Sequence, residues 1–519
     1  MSTPSQSRPN VLFVIADQHH AGMMGCVGHG QVITPNFDAF AREGMMFSQA
    51  HCQNPICTPS RVSFLSGQYP HNHGYYGLSG PSPCGLDNFL GHFRANGYRT
   101  AAFGKLHLPE SPRNWIADDV DEFGDAYETV DGEFGSSDFL KGLEAEGLRD
   151  LEDSWHNEKC YGDARISHDA CPSLLPYEKT LERWSLDRTI AFVEADRTKP
   201  FCIEMAFQKP HHPLLPQKEF WDLYPGDLDL PESFTRNPSG RPPHFVEEWE
   251  KFREIQWDFG EQGEGFEDGA RRAWRGTLAC VSQIDDVFGR LIAWLDASGL
   301  AENTIVVYTS DHGCYHTLKG LPEKAPGICS EDVCRIPMIW RVPGVTHHNT
   351  ISAQLVESVD VAPTLTSLCG LPCMNATDGA DISGVLSGLD ESVRDASVTE
   401  NVWSKAMRWK NWRFVHYSRN HFDGKDIGEL YNIEKDPDET SNLYYDNAHR
   451  EIVSACRQRL LDWLTETTRS VTSMPTMHTM RTNNEPLLLG KHSYSICRDG
   501  KAPQSSQPPN RNGLLTNYL

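Results

Sequence analysis

The sequence predicts an α/β fold: a large, mostly parallel sheet sandwiched by helices, followed by a smaller C-terminal α+β subdomain of antiparallel sheet plus helix. Three observations carry this reading. First, Asn10–Ala16, Phe201–Phe207 and Asn303–Ser310 are continuous apolar runs rich in β-formers, the pattern of strands buried on both faces. Second, two of these runs end in a carboxylate followed by another donor, Asp17-Gln18 and Asp311-His312. Open α/β sheets carry their sites at such carboxyl ends. Third, Ala273 to Leu300 repeats apolar residues at helical spacing, with Val281, Ile284, Val287, Leu291 and Trp294 on one face. A chain of 519 residues is long enough for both units.

The elements follow in order. After the first strand, residues 35–44 read as a helix. Cys57-Thr-Pro-Ser-Arg61 reads as a turn opening a second helix, with Pro59 at its first position and Val62, Phe64 and Leu65 as its apolar face. Cys57 then stands at a helix N-terminus with Arg61 one turn later, and both features favour negative charge there. Gly67–Gly74 loops away, and His73 is a weak candidate to face substrate. Thr100–Phe103 reads as a strand. Lys105 and His107 follow it two residues apart, so both project to one side of extended chain. Residues 109–180 are polar and acidic and read as an insertion or lid over the scaffold. A helix over Ser185–Glu194 precedes the second strand, which leads into Gln208-Lys-Pro-His211-His212-Pro213. Beyond the third strand, Lys319 and Lys324 lie in a loop before Glu331-Asp-Val-Cys-Arg-Ile-Pro337. Trp412–Tyr417 and a helix from about 448 to 468 mark the smaller subdomain. The expected division is a catalytic domain over 8–395, a subdomain over 396–470 and an irregular tail over 471–519.

The net charge is −24, which argues against general nucleic-acid binding, because phosphate contacts need clustered Lys and Arg. An anionic substrate must be drawn in by a local basic pocket. No segment reads as long and apolar enough to span a bilayer. The first ten residues have no apolar core, so the expectation is a cytoplasmic protein with no membrane partner. Most of the 15 cysteines are then expected to be buried thiols. A homo-oligomer, with the tail wrapping a neighbour, is compatible with this reading.

Several short stretches resemble one family. Cys57-Thr-Pro-Ser-Arg61 with Ser66-Gly-Gln-Tyr-Pro70, Gly104-Lys-Leu-His107, Lys209-Pro-His211-His-Pro213, Ser310-Asp-His-Gly313 and Glu429-Leu-Tyr431 resemble landmarks of the type I, formylglycine-dependent sulfatases. These belong to the alkaline-phosphatase-like superfamily, whose large sheet is mixed. The landmarks run in the family's order from about residue 9 to 443. The resemblance implies that a formylglycine-generating maturation enzyme oxidises Cys57 to formylglycine and that its hydrated aldehyde is the nucleophile. It implies that Lys105 contacts the sulfate and the nucleophile and that His107 bonds the diol. His211 would contact the ester oxygen or the sulfate, Lys324 the sulfate and the leaving oxygen, and Arg61 the sulfuryl surroundings. Lys319 is the runner-up to Lys324, and His212 is a weaker neighbour of His211.

The metal set implied is Asp17, Gln18, Asp311, His312 and an oxygen from residue 57. Its oxygen-rich character favours Ca2+, and the imidazole makes Mn2+ the second choice. Most members of the family carry two acids where this chain has Asp17-Gln18, which lowers the charge of the site by one. The function implied is hydrolysis of a sulfate monoester, with a sulfated carbohydrate as the first expectation and an aryl or alkyl sulfate as the second. A phosphonate monoester or phosphodiester hydrolase of the same fold is the nearest alternative. A non-catalytic ligand-binding homologue is an alternative of another class.

Overall fold

Alternation along β1 (Asn10–Ala16) sets up the two cores of the large domain. Val11, Phe13 and Ile15 enter one core with Val62, Phe64 and Leu65. Leu12, Val14 and Ala16 enter the other with Ile284, Val287, Phe288 and Leu291 of the long helix Phe266–Ala297. Every residue of β1 is buried, so helices must cover both faces. The computed structural model describes residues 8–469 except 79, 84, 111–112, 130, 153–169, 237, 255–265, 325–326 and 391, and also 481–482 and 485–486. The rest of the expected tail lies outside the described residues.

The further strands are β2 (Met45–His51), β3 (Arg99–Gly104), β4 (Glu122–Asp125), β5 (Phe201–Ala206), β6 (Thr304–Ser310), β7 (Met338–Arg341) and β8 (Thr350–Glu357). They form an eight-stranded sheet in the order β4-β3-β5-β1-β6-β7-β2-β8. Only β7 runs antiparallel to its neighbours. Register positions the site. Ala16 pairs with Ser310, Ile15 with Ala206 and Gly104 with Ala206. The residues that follow β1, β6 and β3 therefore emerge along one rim of the sheet.

Two details depart from the sequence reading. Part of the expected insertion, Glu122–Asp125, is an edge strand of the main sheet, paired parallel to β3. Pro35–Glu43 forms helix α1, and helix α2 spans Cys57–Ser66, so Pro59 is its third residue, not its first. The N–H groups of the whole first turn lack helical partners, so proline costs no bond there.

The smaller subdomain comprises β9 (Ala396–Glu400), β10 (Ser404–Trp409), β11 (Trp412–Tyr417) and β12 (Gly428–Asn432) in the antiparallel order β12-β11-β10-β9. On one face Val398, Met407, Phe414 and Leu430 meet Val453, Leu460 and Trp463 of the helix Arg450–Thr467. On the other, Ala406, Val415 and Tyr417 pack against Tyr315, Val333 and Cys334 from the chain after β6. Burying each such large apolar side chain is worth roughly 1.5–3 kcal/mol. The path of the loop carrying Lys319 and Lys324 is thus set partly by the subdomain. Among the described residues, no helix is long and apolar enough to cross a membrane.

Candidate active site

The in-register ends of β1 and β6 bring Asp17 and Asp311 side by side, and the start of α2 delivers Cys57 between them. Asp17, Cys57, Asp311 and His312 each offer one ligand atom, all within 4.8 Å of one another, and all four are buried. Cys57 Sγ lies 3.6 Å from Asp17 Oδ1 and 3.3 Å from His312 Nε2. Among the described cysteines, Cys52 and Cys57 are both free thiols.

Arg61 sits one turn along α2 and is completely buried. Its guanidinium divides between the two acids, donating from Nε to Asp311 Oδ2 at 3.0 Å and from Nη2 to Asp17 Oδ2 at 3.3 Å. A third bond runs from Nη1 to the carbonyl of Lys105 at 2.6 Å. The rigid fork of arginine suits this three-way tie; a lysine could not replace it. Lys105 Nζ lies 2.7 Å from Asp17 Oδ2. Burial pushes the Asp17 carboxyl up, but Lys105, His211, Arg61 and His312 together hold it well below the usual carboxylate range.

Gln18 takes a left-handed φ of 65°. That turn aims its backbone N–H at Asp311 Oδ1, 3.0 Å away. Its side-chain amide donates to Glu323 at 3.4 Å, while its Oε1 is buried with no hydrogen-bond partner among the described residues. A buried orphan acceptor is costly. Two carboxylates, an imidazole nitrogen, residue 57 and this oxygen are the donor set of a hard divalent cation, so the residues fit a metal.

Lys324 approaches from the loop after β6, its Nζ 3.1 Å from Glu323. Burial lowers its pKa, but Cys57, Glu323 and Asp17 more than reverse that. It is a cation at neutral pH. Burial and Asp17 push the Cys57 thiol up, yet Lys324 and His312 bring it down to about 6. Burial, with Lys105 beside it, pulls His107 down to about 4, so its ring is neutral. The Nδ1 of His107 has no hydrogen-bond partner among the described residues. His211 Nδ1 is 2.6 Å from the carbonyl of His212. That bond requires a proton on Nδ1, so in the neutral ring Nε2 is the acceptor.

Not every candidate converges. Lys319 points elsewhere: its Nζ is 2.6 Å from Asp332 and 2.7 Å from Glu439, both acids of the seam with the smaller subdomain. His73 is buried with both nitrogens engaged, Nε2 with Ser63 Oγ at 3.0 Å and Nδ1 with the Tyr75 N–H at 3.1 Å. These two bonds tie it to α2 and to the turn that follows. The His212 ring lies against His316, centroids 5.9 Å apart, and shares the lining of a cavity with Lys105 and His211. Sequence reasoning missed Glu323, which joins Gln18 to Lys324. Its position next to Lys324 was the available signal. It also missed Ser60, whose Oγ donates to the Asp311 carbonyl at 2.5 Å.

A cavity of about 510 Å³ has Lys105 and His211 in its lining. Tyr127, Phe134, Leu140 and Leu175, all from the 109–180 stretch, form one side of it.

Comparison with known proteins adds three findings. A family model described as Sulfatase matches residues 9–371, and one described as N-sulphoglucosamine sulphohydrolase, C-terminal, matches 327–466. A sulfatase of Formosa agariphila is 28% identical over 458 residues, covering 84% of this chain and 83% of its own. Two solved structures share the fold: BT4656 in complex with its substrate D-glucosamine-2-N,6-O-disulfate (TM-score 0.69, 21% identity, 89% of this chain and 98% of that one), and the phosphonate monoester hydrolase of Agrobacterium radiobacter (TM-score 0.71, 20% identity, 89% and 96%).

Proposed function

The chain belongs to the sulfatase family and is a sulfuric ester hydrolase, and from that premise we propose that it acts through a formylglycine made from Cys57 and a single Ca2+. The observation that carries this is the Cys57 sulfur within 3.6 Å of Asp17 and 3.3 Å of His312, inside a buried donor cluster. The thiol stands where the oxygens of a hydrated aldehyde would be. Converted to hydrated formylglycine, residue 57 would offer one hydroxyl as the nucleophile toward sulfur and a second from which the aldehyde could re-form as sulfate leaves. Asp17, Gln18, Asp311 and His312 would hold the cation, which screens the anionic groups gathered there.

The chain's own side chains do the rest. Lys105 and Lys324 stabilise the sulfuryl oxygens as charge moves toward the leaving group. Arg61 fixes the two acids, so the donor set is rigid before substrate arrives. Neutral His107 is suited to accept a proton from the diol, and His211 Nε2 to bond the ester side of the substrate. A sulfated sugar is the leaving group first expected, and the sugar-bound structural neighbour is consistent with it.

The test is sulfate release. Protein co-produced with a formylglycine-generating enzyme should release sulfate from 4-nitrophenyl sulfate and lose that activity on chelation. It should act far more slowly on phenyl phosphonate monoesters. Faster turnover of the phosphonate would replace this reading with the phosphonate hydrolase alternative.

A further inference from the structure

Resting on the metal-dependent sulfatase reading, we infer that Glu323 is a positioning residue: it turns the Gln18 amide so that the oxygen, not the nitrogen, is left for the cation. The two ends of a glutamine amide are almost the same size, yet only the oxygen can ligate a cation. Which end faces a site is settled by what the other end bonds.

Gln18 is completely buried, and its backbone is pinned on both sides. The N–H donates to Asp311 Oδ1 at 3.0 Å, and the carbonyl accepts from His316 Nε2 at 2.9 Å. What the backbone leaves open is the half-turn of the terminal amide. Nε2 donates to Glu323 Oε1 at 3.4 Å, and Oε1 is the end with no hydrogen-bond partner among the described residues. An ionised carboxylate only accepts, so Glu323 bonds the nitrogen and repels the oxygen. Reversed, the amide would set oxygen against carboxylate and offer N–H groups to the cation. The acid thus selects one of two orientations.

Glu323 is itself held. The same Oε1 accepts from Lys324 Nζ at 3.1 Å, and a bond between two charged groups is stronger than a neutral one. One carboxylate oxygen is therefore the meeting point of a metal-site amide and of the lysine assigned to the sulfate. Ligand and cation are set by the same group before substrate arrives. Groups that orient metal ligands in this way are worth about 10- to 100-fold in metal affinity.

The experiment is a double-mutant cycle, read by calorimetric titration of Ca2+ into formylglycine-containing enzyme stripped of metal with a chelator. Glu323→Ala is expected to weaken Ca2+ binding about tenfold or more. In a Gln18→Ala background, with no amide to orient, the same change should alter the affinity by about twofold at most. Glu323→Gln keeps an acceptor oxygen and nearly the same shape, so it should fold as the parent does and restore part of the loss. Unchanged Ca2+ affinity in Glu323→Ala would overturn the inference. An equal loss in both backgrounds would overturn it too, because Glu323 would then act as a charge alone. A parent enzyme that releases sulfate yet takes up no Ca2+ would sink the metal reading and this assignment together. One that binds Ca2+ without releasing sulfate from 4-nitrophenyl sulfate would count against the sulfatase reading, while the cycle still decides the role of Glu323.

Discussion

Two buried clusters of charge lie along the same loop, and they differ in how their charges are matched. At the seam with the smaller subdomain, Lys319 sits between Asp332 and Glu439, Asp332 also meets His20 at 3.3 Å, and Glu331 meets Arg413 at 3.2 Å and His51 at 3.5 Å. These contacts cross-link separate parts of the chain. At the rim of the sheet, by contrast, donors converge on one point. Asp17, Asp311, His312 and Cys57 crowd together, and Gln18 Oε1 and His107 Nδ1 have no partners among the described residues. Lysines five positions apart thus belong to different tasks. Lys319 ties its loop to Asp332 and Glu439, and Lys324 lies near enough to Cys57, Glu323 and Asp17 for their charges to hold its pKa up. Unpartnered polar atoms do not separate the two clusters, since His51 Nδ1 and Arg413 Nε at the seam also lack partners among the described residues; convergence of several ligand atoms on one point does.

The largest expected effect falls on the convergent cluster. Cys57→Ala should remove turnover by on the order of 10⁶, as loss of a covalent nucleophile does, while thermal unfolding stays near that of the parent. Sulfate-release assays and calorimetry check both halves. The complementary change is Lys319→Ala. It takes the shared lysine from two buried acids, leaving Asp332 with His20 and Glu439 with Arg241 at 3.8 Å, and should cost up to about 3–5 kcal/mol of stability, read from urea midpoints, with activity per folded molecule retained. A Lys319→Ala protein of normal stability and no turnover would erase the contrast.

Lys324→Ala should do the opposite. Removing one preorganised cation from the reacting centre is expected to lower kcat by roughly 10²–10³, with the urea midpoint little changed. The smallest effect is in pH. Burial pushes Asp332 up, but Lys319 and His20 hold it well below the carboxylate range. A depressed carboxyl contributes stability above its unfolded pKa and loses it as pH falls through the folded value. The stability gap between the parent and Lys319→Ala should therefore be full above about pH 4 and shrink in stronger acid. Midpoints measured across that range would show a gap that widens in acid if the account is wrong.

Much of this was legible from residues alone, for identifiable reasons. β1, β5 and β6 announce themselves because strands buried on both faces must be continuously apolar. Asp17, Asp311, Lys105 and Cys57 are visible because each stands immediately after a strand or at the start of a helix, where local pattern fixes position. β4 escaped because four residues with one glycine and two acids carry no strand signal. Only the family resemblance ranks Lys324 above Lys319; no local pattern does, because the loop carrying them is shaped by packing against Val415 and Tyr417, nearly a hundred residues later. The hydrogen bonding of His73 was hidden because it depends on how the chain after α2 folds back on Ser63, a buried residue of that helix.

The central claim is that residue 57 is a formylglycine held in the convergent cluster. Its most direct test is the mass of the tryptic peptide containing residue 57, from protein co-produced with a formylglycine-generating enzyme. The account predicts a peptide lighter by one sulfur and two hydrogens and heavier by one oxygen, the exchange of a thiol for an aldehyde. An intact thiol in that sample, alongside undiminished sulfate release, would contradict it.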